Sequence, residues 1–119
     1  MDALKSLRTE LAAFATERDW DQFHTPKNLA MALSGEAGEL LERFQWLTPE
    51  QSERNALSPE ALEAIEEEMA DVLLYLVRLA DRLNVDLETV AQAKLKRNAE
   101  KYPVSEAKGN AVKYSRRSE

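Results

Sequence analysis

The chain contains no cysteine, a single histidine and only three glycines in 119 residues. Without cysteine it has neither a disulfide framework nor a thiolate zinc site, and a catalytic thiol is excluded. Three glycines, Gly35, Gly38 and Gly109, cannot assemble a glycine-rich phosphate-binding loop, and the sequence has no Walker motif. Any phosphate chemistry must therefore rest on other groups.

Basic residues are outnumbered, with 16 Lys and Arg against 22 Asp and Glu and a net charge of −6. This balance argues against a nucleic acid polymer as the main partner. No apolar stretch approaches the roughly 18 residues of a membrane helix, and the first residues lack the pattern of a signal peptide. We therefore expect a single soluble domain in the cytoplasm, without a membrane partner.

Apolar residues recur at spacings of three and four, and no segment alternates with period two, which predicts an all-α fold. Caps and prolines divide the chain into four helices. They run from Leu4 to about Arg18 or Asp19, from Thr25-Pro26 to Leu47, from Ser58-Pro59 to Asn84, and from Asp86 to a stop before Pro103. Thr48 to Gln51 forms a capping box that predicts a further short turn of helix. We predict a four-helix bundle over residues 1–103, followed by a flexible polar tail over residues 104–119.

The third predicted helix is apolar around its whole circumference over residues 72–77. Four short helices cover only part of one member, so a helix buried on every side indicates a partner chain. This favours a homo-oligomer; the alternative is that the third helix is simply central in its own chain.

Two acidic pairs have a spacing of three, Glu36 with Glu39 and Glu68 with Asp71. Glu36 falls inside the apolar stripe of its helix and Glu39 lies on its edge, so the pairs are expected to face each other between helices. Two carboxylates about 5 Å apart repel by roughly 3 kcal/mol at an effective dielectric of about 20. A hard cation, Mg²⁺ or Mn²⁺, would relieve this repulsion. The alternative is that the buried acids pair with Arg or Lys.

Aromatic and basic residues indicate a nucleotide site. Trp20, Phe23, His24 and Trp46 offer surfaces on which a base can stack, although for a lone aromatic such as Trp20 or Phe23 core packing is the more common role. On the fourth helix Lys94, Asn98 and Lys101 share one face, with Tyr102 next along, and they offer donors to phosphate oxygens. The alternative is a solvated basic helix end.

The acidic pairs lie in two motifs, Gly35-Glu36-Ala37-Gly38-Glu39-Leu40 and Glu67-Glu68-Met69-Ala70-Asp71-Val72-Leu73. These motifs resemble the ExxE and ExxD pairs of the MazG-like all-α nucleotide pyrophosphohydrolases. The segments Arg18-Asp19-Trp20-Asp21-Gln22-Phe23-His24 and Phe44-Gln45-Trp46 are similar specifically to the dCTP pyrophosphatase branch of that family. The resemblance covers about residues 7–103.

The resemblance implies a four-helix fold, a tetramer, and hydrolysis of a nucleoside triphosphate to the monophosphate and pyrophosphate. It implies a nucleotide pocket lined by Trp20, Gln22, Phe23, His24, Trp46 and Tyr75. Asp21 lies in the same segment as Trp20 to His24 and is a further candidate. It also implies phosphate contacts from Lys94, Asn98, Lys101 and Tyr102. Leu11 departs from the animal relatives, which have a histidine there, and this argues against identical base selectivity.

The resulting hypothesis is a Mg²⁺-dependent nucleotide diphosphatase of the nucleotide pool, acting on dCTP or a modified dCTP, with Glu36, Glu39, Glu68 and Asp71 as metal ligands and catalytic residues. The general base is one of these four or Glu67. A di-iron carboxylate bundle is disfavoured because it needs Glu-x-x-His on two helices, and His24 is predicted to lie in a loop. A non-enzymatic helical oligomerisation module with paired acids is the remaining alternative.

Overall fold

The computed structural model describes residues 2–116, and all regular structure within them is helical. The elements are α1 (Ala3–Glu17), α2 (Pro26–Glu42), a 3₁₀ helix (Arg54–Ala56), α3 (Pro59–Arg82), α4 (Leu87–Lys101), α5 (Val104–Ala107) and a second 3₁₀ helix (Tyr114–Arg116). The described chain forms two compact units that divide between Val85 and Asp86. No helix within residues 2–116 is long and apolar enough to cross a membrane.

The helix starts follow from side-chain caps, as predicted. The side chains of Thr25, Ser58 and Asp86 each accept a hydrogen bond from the backbone N–H three residues later, which satisfies one free donor of α2, α3 and α4. Pro26 and Pro59 occupy the first positions of α2 and α3, where a missing N–H costs nothing. Asp2 caps α1 in the same way.

The end of α3 was also predicted correctly, but that of α2 was not. Asn84 adopts a left-handed conformation (φ 54°) just after α3, a conformation that asparagine tolerates better than most residues. By contrast, α2 ends at Glu42, so the prediction that it continues to Leu47 is wrong. The amides of Phe44 and Leu47 bond only three residues back, so the backbone tightens into turns here.

The capping box after α2 is present, but it opens no α-helix. The Thr48 N–H donates to Gln51 Oε1 at 2.9 Å, and the Gln51 N–H donates to Thr48 Oγ1 at 3.1 Å. These reciprocal bonds close a turn, and regular structure resumes only in the 3₁₀ helix at Arg54. The Ser52 N–H also donates to the Thr48 carbonyl oxygen four residues back at 3.1 Å, which is a single helical turn, so the predicted short turn at Thr48 is present but does not extend into an α-helix.

In the first unit α3 packs against both α1 and α2. The buried apolar core consists of Ala15, Leu29, Ile65, Val77 and Ala80. Within the first unit, four large apolar side chains of α3 are left exposed: Met69 is 56%, Leu73 39%, Leu76 37% and Leu83 54% exposed. The apolar segment of α3 is thus only partly covered within the first unit, and the homo-oligomer stays a prediction.

The second unit contains α4, α5 and the 3₁₀ helix at Tyr114. The Tyr114 backbone N–H donates to the Tyr102 hydroxyl at 3.3 Å, and the two rings meet edge to face at 5.8 Å. The Lys101 ammonium lies 4.9 Å from the centre of the Tyr114 ring. The segment after residue 103 thus makes specific contacts with the end of α4. Its flexibility, and the packing of α4 into a four-helix bundle, stay predictions.

Candidate active site

Three of the four predicted metal ligands lie together. Carboxylate oxygens of Glu36 and Glu39 from α2 and of Glu68 from α3 all lie within 4.8 Å of one another. The spacing of three on α2 projects its two carboxylates towards the same side, and the packing of α2 on α3 brings Glu68 opposite them. We call this group the acidic cluster.

The acidic cluster contains buried oxygens that lack hydrogen-bond partners within the described residues. Glu36 Oε2 and Glu68 Oε2 are both buried, and neither has a hydrogen-bond partner within residues 2–116. The other oxygen of Glu68 accepts a bond of 3.3 Å from Arg43, whose side chain is half exposed. The predicted alternative, in which the acids pair with Arg or Lys, thus describes Glu68 Oε1 but neither of the two unpartnered oxygens. Unpartnered buried carboxylate oxygens within reach of a third carboxylate fit a hard divalent cation, which binds oxygen ligands.

Asp71, the fourth predicted ligand, is not part of the acidic cluster in the described chain. It lies one turn after Glu68 on α3 and instead lines a cavity of about 160 Å³. The cavity wall is completed by Leu11, Phe14, Trp20, His24, Leu74, Tyr75 and Arg78. Asp71 therefore lies on the same helix as Glu68, but its place is in the wall of a mainly apolar and aromatic cavity.

Three of the residues predicted to contact a nucleotide meet in this cavity: Trp20, His24 and Tyr75. Trp20 packs edge to face against Phe14 at 5.6 Å and against His24 at 6.1 Å. It is 42% exposed, so it forms a wall open to a ligand rather than a piece of the core. Leu11 lies in the same wall, which places the departure from the animal relatives next to the predicted base site.

His24 is held by a buried arginine. Arg78 Nε donates to His24 Nδ1 at 3.1 Å, and Arg78 Nη2 donates to Asp21 Oδ1 at 2.6 Å. Burial is the main cause that lowers the pKa of His24 below its ordinary value of 6.5, and the Arg78 charge lowers it further. The Asp21 carboxylate acts in the opposite direction. His24 is therefore held mainly as the neutral imidazole near neutral pH.

Arg78 was missed by the sequence reasoning. Only 5% of the residue is exposed, and its Nη1 also donates to Asp81 Oδ2 at 3.0 Å, while Asp81 Oδ1 accepts from Arg8 at 2.7 Å. The available signal was an arginine within the apolar run of α3, since arginine is rarely buried without partners. Arg78 joins the α1–α2 loop to α3 in the wall of the cavity, and Asp81 extends this network to Arg8 on α1.

The other predicted substrate residues of the first unit lie outside the cavity wall. Trp46 follows α2 in the turns, not on the helix as predicted, because α2 ends at Glu42; it is 87% exposed. Phe23 is 59% exposed, so packing in the core of its own chain is excluded for both aromatics. The Gln22 amide donates to the Asp19 carbonyl oxygen and carboxylate. Asp21 orients Arg78 and accepts from Thr16 Oγ1.

Within the second unit, Lys94, Asn98 and Lys101 lie on α4 at spacings of four and three, and Tyr102 is the C-cap residue. The helix geometry places the three polar side chains along one face, as predicted. Asn98 and Lys101 are partly buried in the chain, whereas Lys94 is exposed.

The described residues thus form an all-α protein with an acidic cluster, suited to a hard cation, between α2 and α3. One turn further along α3, Asp71 lines the aromatic cavity. The model of the MazG-like family matches residues 31–116. A pyrophosphatase from Archaeoglobus fulgidus has a similar solved structure, with a TM-score of 0.78, 38% identity, and coverage of 87% of this chain and 94% of that chain. The chain belongs to the MazG-like family.

Among relatives, dCTP pyrophosphatase 1 from Bos taurus is 47% identical over 112 residues, and the protein of that name from Homo sapiens is 46% identical over 112 residues. Each alignment covers 94% of this chain. The chain spans 66% of the length of these relatives. The resemblance found from the acidic motifs is thereby confirmed.

Proposed function

We propose that this protein is a Mg²⁺-dependent nucleoside triphosphate pyrophosphohydrolase that converts dCTP, or a modified dCTP, to the monophosphate and pyrophosphate. The observation that carries the proposal is the acidic cluster of Glu36, Glu39 and Glu68 with its two unpartnered buried oxygens. The identity of 46–47% to dCTP pyrophosphatases supports the choice of substrate. Such an enzyme would serve nucleotide-pool housekeeping.

In this proposal the acidic cluster, with Asp71 as a fourth ligand, holds the cation. Bound Mg²⁺, or Mn²⁺ in its place, would neutralise phosphate charge and lower the pKa of the attacking water. A carboxylate of the cluster, or neighbouring Glu67, takes the proton of that water. The new bond joins the water oxygen to the α-phosphorus, the bond from the α-phosphorus to the bridging oxygen breaks, and pyrophosphate leaves.

The cavity is the proposed base site. Trp20 and Tyr75 offer aromatic faces, and stacking on such faces contributes roughly 1–3 kcal/mol per base. Phe23, Gln22 and the exposed Trp46 are proposed to contact the nucleotide from outside the cavity wall. Lys94, Asn98, Lys101 and Tyr102 supply donors for the phosphate oxygens.

We further propose that the enzyme acts as a homo-oligomer, the tetramer implied by the family resemblance. The exposed apolar side chains of α3 support this assembly, because neighbouring exposed apolar side chains on one helix mark a surface suited to protein–protein contact. The cytoplasmic location stays a prediction from the sequence.

The deciding experiment is a screen of the purified protein against the common nucleoside triphosphates and 5-methyl-dCTP, with Mg²⁺ and with a chelator. We expect dCMP and pyrophosphate as the products of dCTP, formed only with the metal. Release of orthophosphate and dCDP would place the cleaved bond elsewhere. No hydrolysis of any nucleotide would favour the alternative of a structural oligomerisation module with paired acids.

A further inference from the structure

All three nitrogens of the Arg78 guanidinium are used within the chain. Nε donates to His24 Nδ1, Nη1 to Asp81 Oδ2 and Nη2 to Asp21 Oδ1, at 3.1, 3.0 and 2.6 Å. Because guanidinium is planar and its donors have fixed directions, these bonds determine its orientation. The partners come from the α1–α2 loop and from α3, so the Nε–H bond to the histidine depends on the packing of the whole unit.

The bond to Arg78 determines which ring nitrogen of His24 carries a proton. A guanidinium only donates, so His24 Nδ1 must accept with its lone pair, and the proton of the neutral ring lies on Nε2. No hydrogen bond from Nε2 to any residue within 2–116 is present. His24 therefore keeps one free donor while its other nitrogen is occupied.

His24 also lines the cavity, beside Trp20 and Tyr75. We propose that Arg78 is a positioning residue that holds His24 as the neutral Nε2–H tautomer, so that His24 donates a hydrogen bond to an acceptor on the nucleobase, such as the carbonyl O2 or ring N3 of cytosine. The identity of this ligand rests on the proposed function, whereas the tautomer does not. A base edge that presents only donors to His24 would leave Nε2–H unpaired and would bind more weakly.

The chain offers a direct test, because His24 is its only histidine. With ¹⁵N-labelled imidazole and no affinity tag, long-range ¹H–¹⁵N correlation spectra show one ring and separate pyridine-type from pyrrole-type nitrogens. Above the pKa of the ring, we expect a pyridine-type Nδ1 and a pyrrole-type Nε2. A protonated Nδ1 in the wild-type protein overturns the proposal, and this measurement needs no variant.

Arg78→Met tests the cause of the tautomer, with Arg82→Met as the matched control. Both variants remove a positive charge from the end of α3, but Arg82 makes no hydrogen bond to His24 and acts on it only through its charge. We expect averaged tautomers in Arg78→Met and the wild-type tautomer in Arg82→Met. An unchanged tautomer in a folded Arg78→Met variant contradicts the assigned role. If this variant does not fold, the wild-type spectrum still decides the tautomer.

Binding and kinetics test the donor role. Adding the non-hydrolysable α,β-imido analogue of dCTP should shift the Nε2 resonance and leave Nδ1 pyridine-type. In Arg78→Met we expect KM for dCTP to rise about 3- to 10-fold with a smaller change in kcat, and in Arg82→Met an unchanged KM. An Nε2 resonance that does not respond to the analogue contradicts the donor role. If no nucleotide is hydrolysed, only the proposed function is contradicted. If the enzyme is active but His24 Nδ1 carries the proton, only the present inference is contradicted.

Discussion

Glu36 on α2 and Glu68 on α3 each bury the Oε2 atom of the carboxylate, and neither atom has a hydrogen-bond partner within residues 2–116. Glu39 contributes a third carboxylate within 4.8 Å. Leaving buried acceptors unpaired costs free energy, and placing like charges together adds repulsion. A bound cation removes both costs, which couples metal binding to the stability of the contact between α2 and α3.

Added Mg²⁺ should therefore stabilise the folded protein, and Glu39→Gln should weaken this effect. A ligand at about 100 times its Kd stabilises the folded state by about 2.7 kcal/mol. We expect melting curves of the wild-type protein to shift upwards with Mg²⁺. Glu39→Gln should melt slightly higher than the wild type in metal-free buffer, respond less to Mg²⁺, and lose activity by orders of magnitude with little rescue by excess metal.

Glu42→Gln is the control for this prediction, because Glu42 is an exposed acid three residues further along α2 and lies outside the acidic cluster. It should behave like the wild type in both assays. Full activity of Glu39→Gln, or a loss of stability that is the same with and without Mg²⁺, would show that Glu39 belongs to a structural ion pair instead.

The uncovered side chains of α3 predict that Leu73→Glu separates the oligomer into monomers. Met69, Leu73 and Leu76 are exposed at spacings of four and three, the pattern of a helix seam that packs against another helix, and Leu83 is exposed at the end of the same face. A charge buried in such a contact is strongly unfavourable. Light scattering should show an oligomer for the wild type and the 13.5 kDa monomer for the variant.

Glu10→Lys, a charge change at an exposed position of α1, should leave the oligomer intact. Circular dichroism should confirm that Leu73→Glu keeps its helices. A wild-type protein that is monomeric at micromolar concentration would contradict the predicted assembly directly.

Trp46→Ala should raise KM more than it lowers kcat. Trp46 is 87% exposed, so its removal leaves no cavity in the core of the chain and should hardly change the melting temperature. If its ring stacks on the nucleotide equally in the ground and transition states, the loss appears mainly in KM. Steady-state kinetics and light scattering should be measured together. An unchanged KM with a weakened oligomer would assign the ring to a subunit contact.

His24 should make the protein less stable in mildly acidic buffer. Its folded-state pKa lies below the ordinary 6.5 because of burial first and the Arg78 charge second, with Asp21 opposing and Arg82 adding a smaller lowering effect. Between the folded-state and unfolded-state pKa values the unfolded chain binds more protons, so protons favour unfolding. The free energy of unfolding should fall as the pH drops through 6.5 and level off below the folded-state pKa.

Urea unfolding of the wild type and of His24→Gln over this pH range measures the effect. The variant lacks the titrating ring, so its free energy of unfolding should fall less over the same interval. Equal slopes for the two proteins would show that His24 does not titrate differently in the folded and unfolded states.

Local chemistry determined the helix starts from the sequence alone. Thr25, Ser58 and Asp86 cap helices through bonds to residues only three positions away, so the pattern and its consequence lie within one turn. The same holds for the acidic pair on α2, since a spacing of three places Glu36 and Glu39 on neighbouring positions of one helix face whatever else the chain does. The meeting of this pair with Glu68 was predicted from the apolar stripes that pack the helices.

Only the tertiary structure decided the partners of the buried polar groups. Arg78 bonds to His24 and Asp21, which lie 54 and 57 positions away in the chain, and Arg8 bonds to Asp81 across 73 positions. Helix periodicity places an arginine on a face but does not select among the acids that packing brings to it. Likewise, the spacing of three between Glu68 and Asp71 did not reveal that they lie in different places, Glu68 in the acidic cluster and Asp71 in the cavity wall. The two residues are about one helical turn apart, and the packing of the other elements determines what each turn faces.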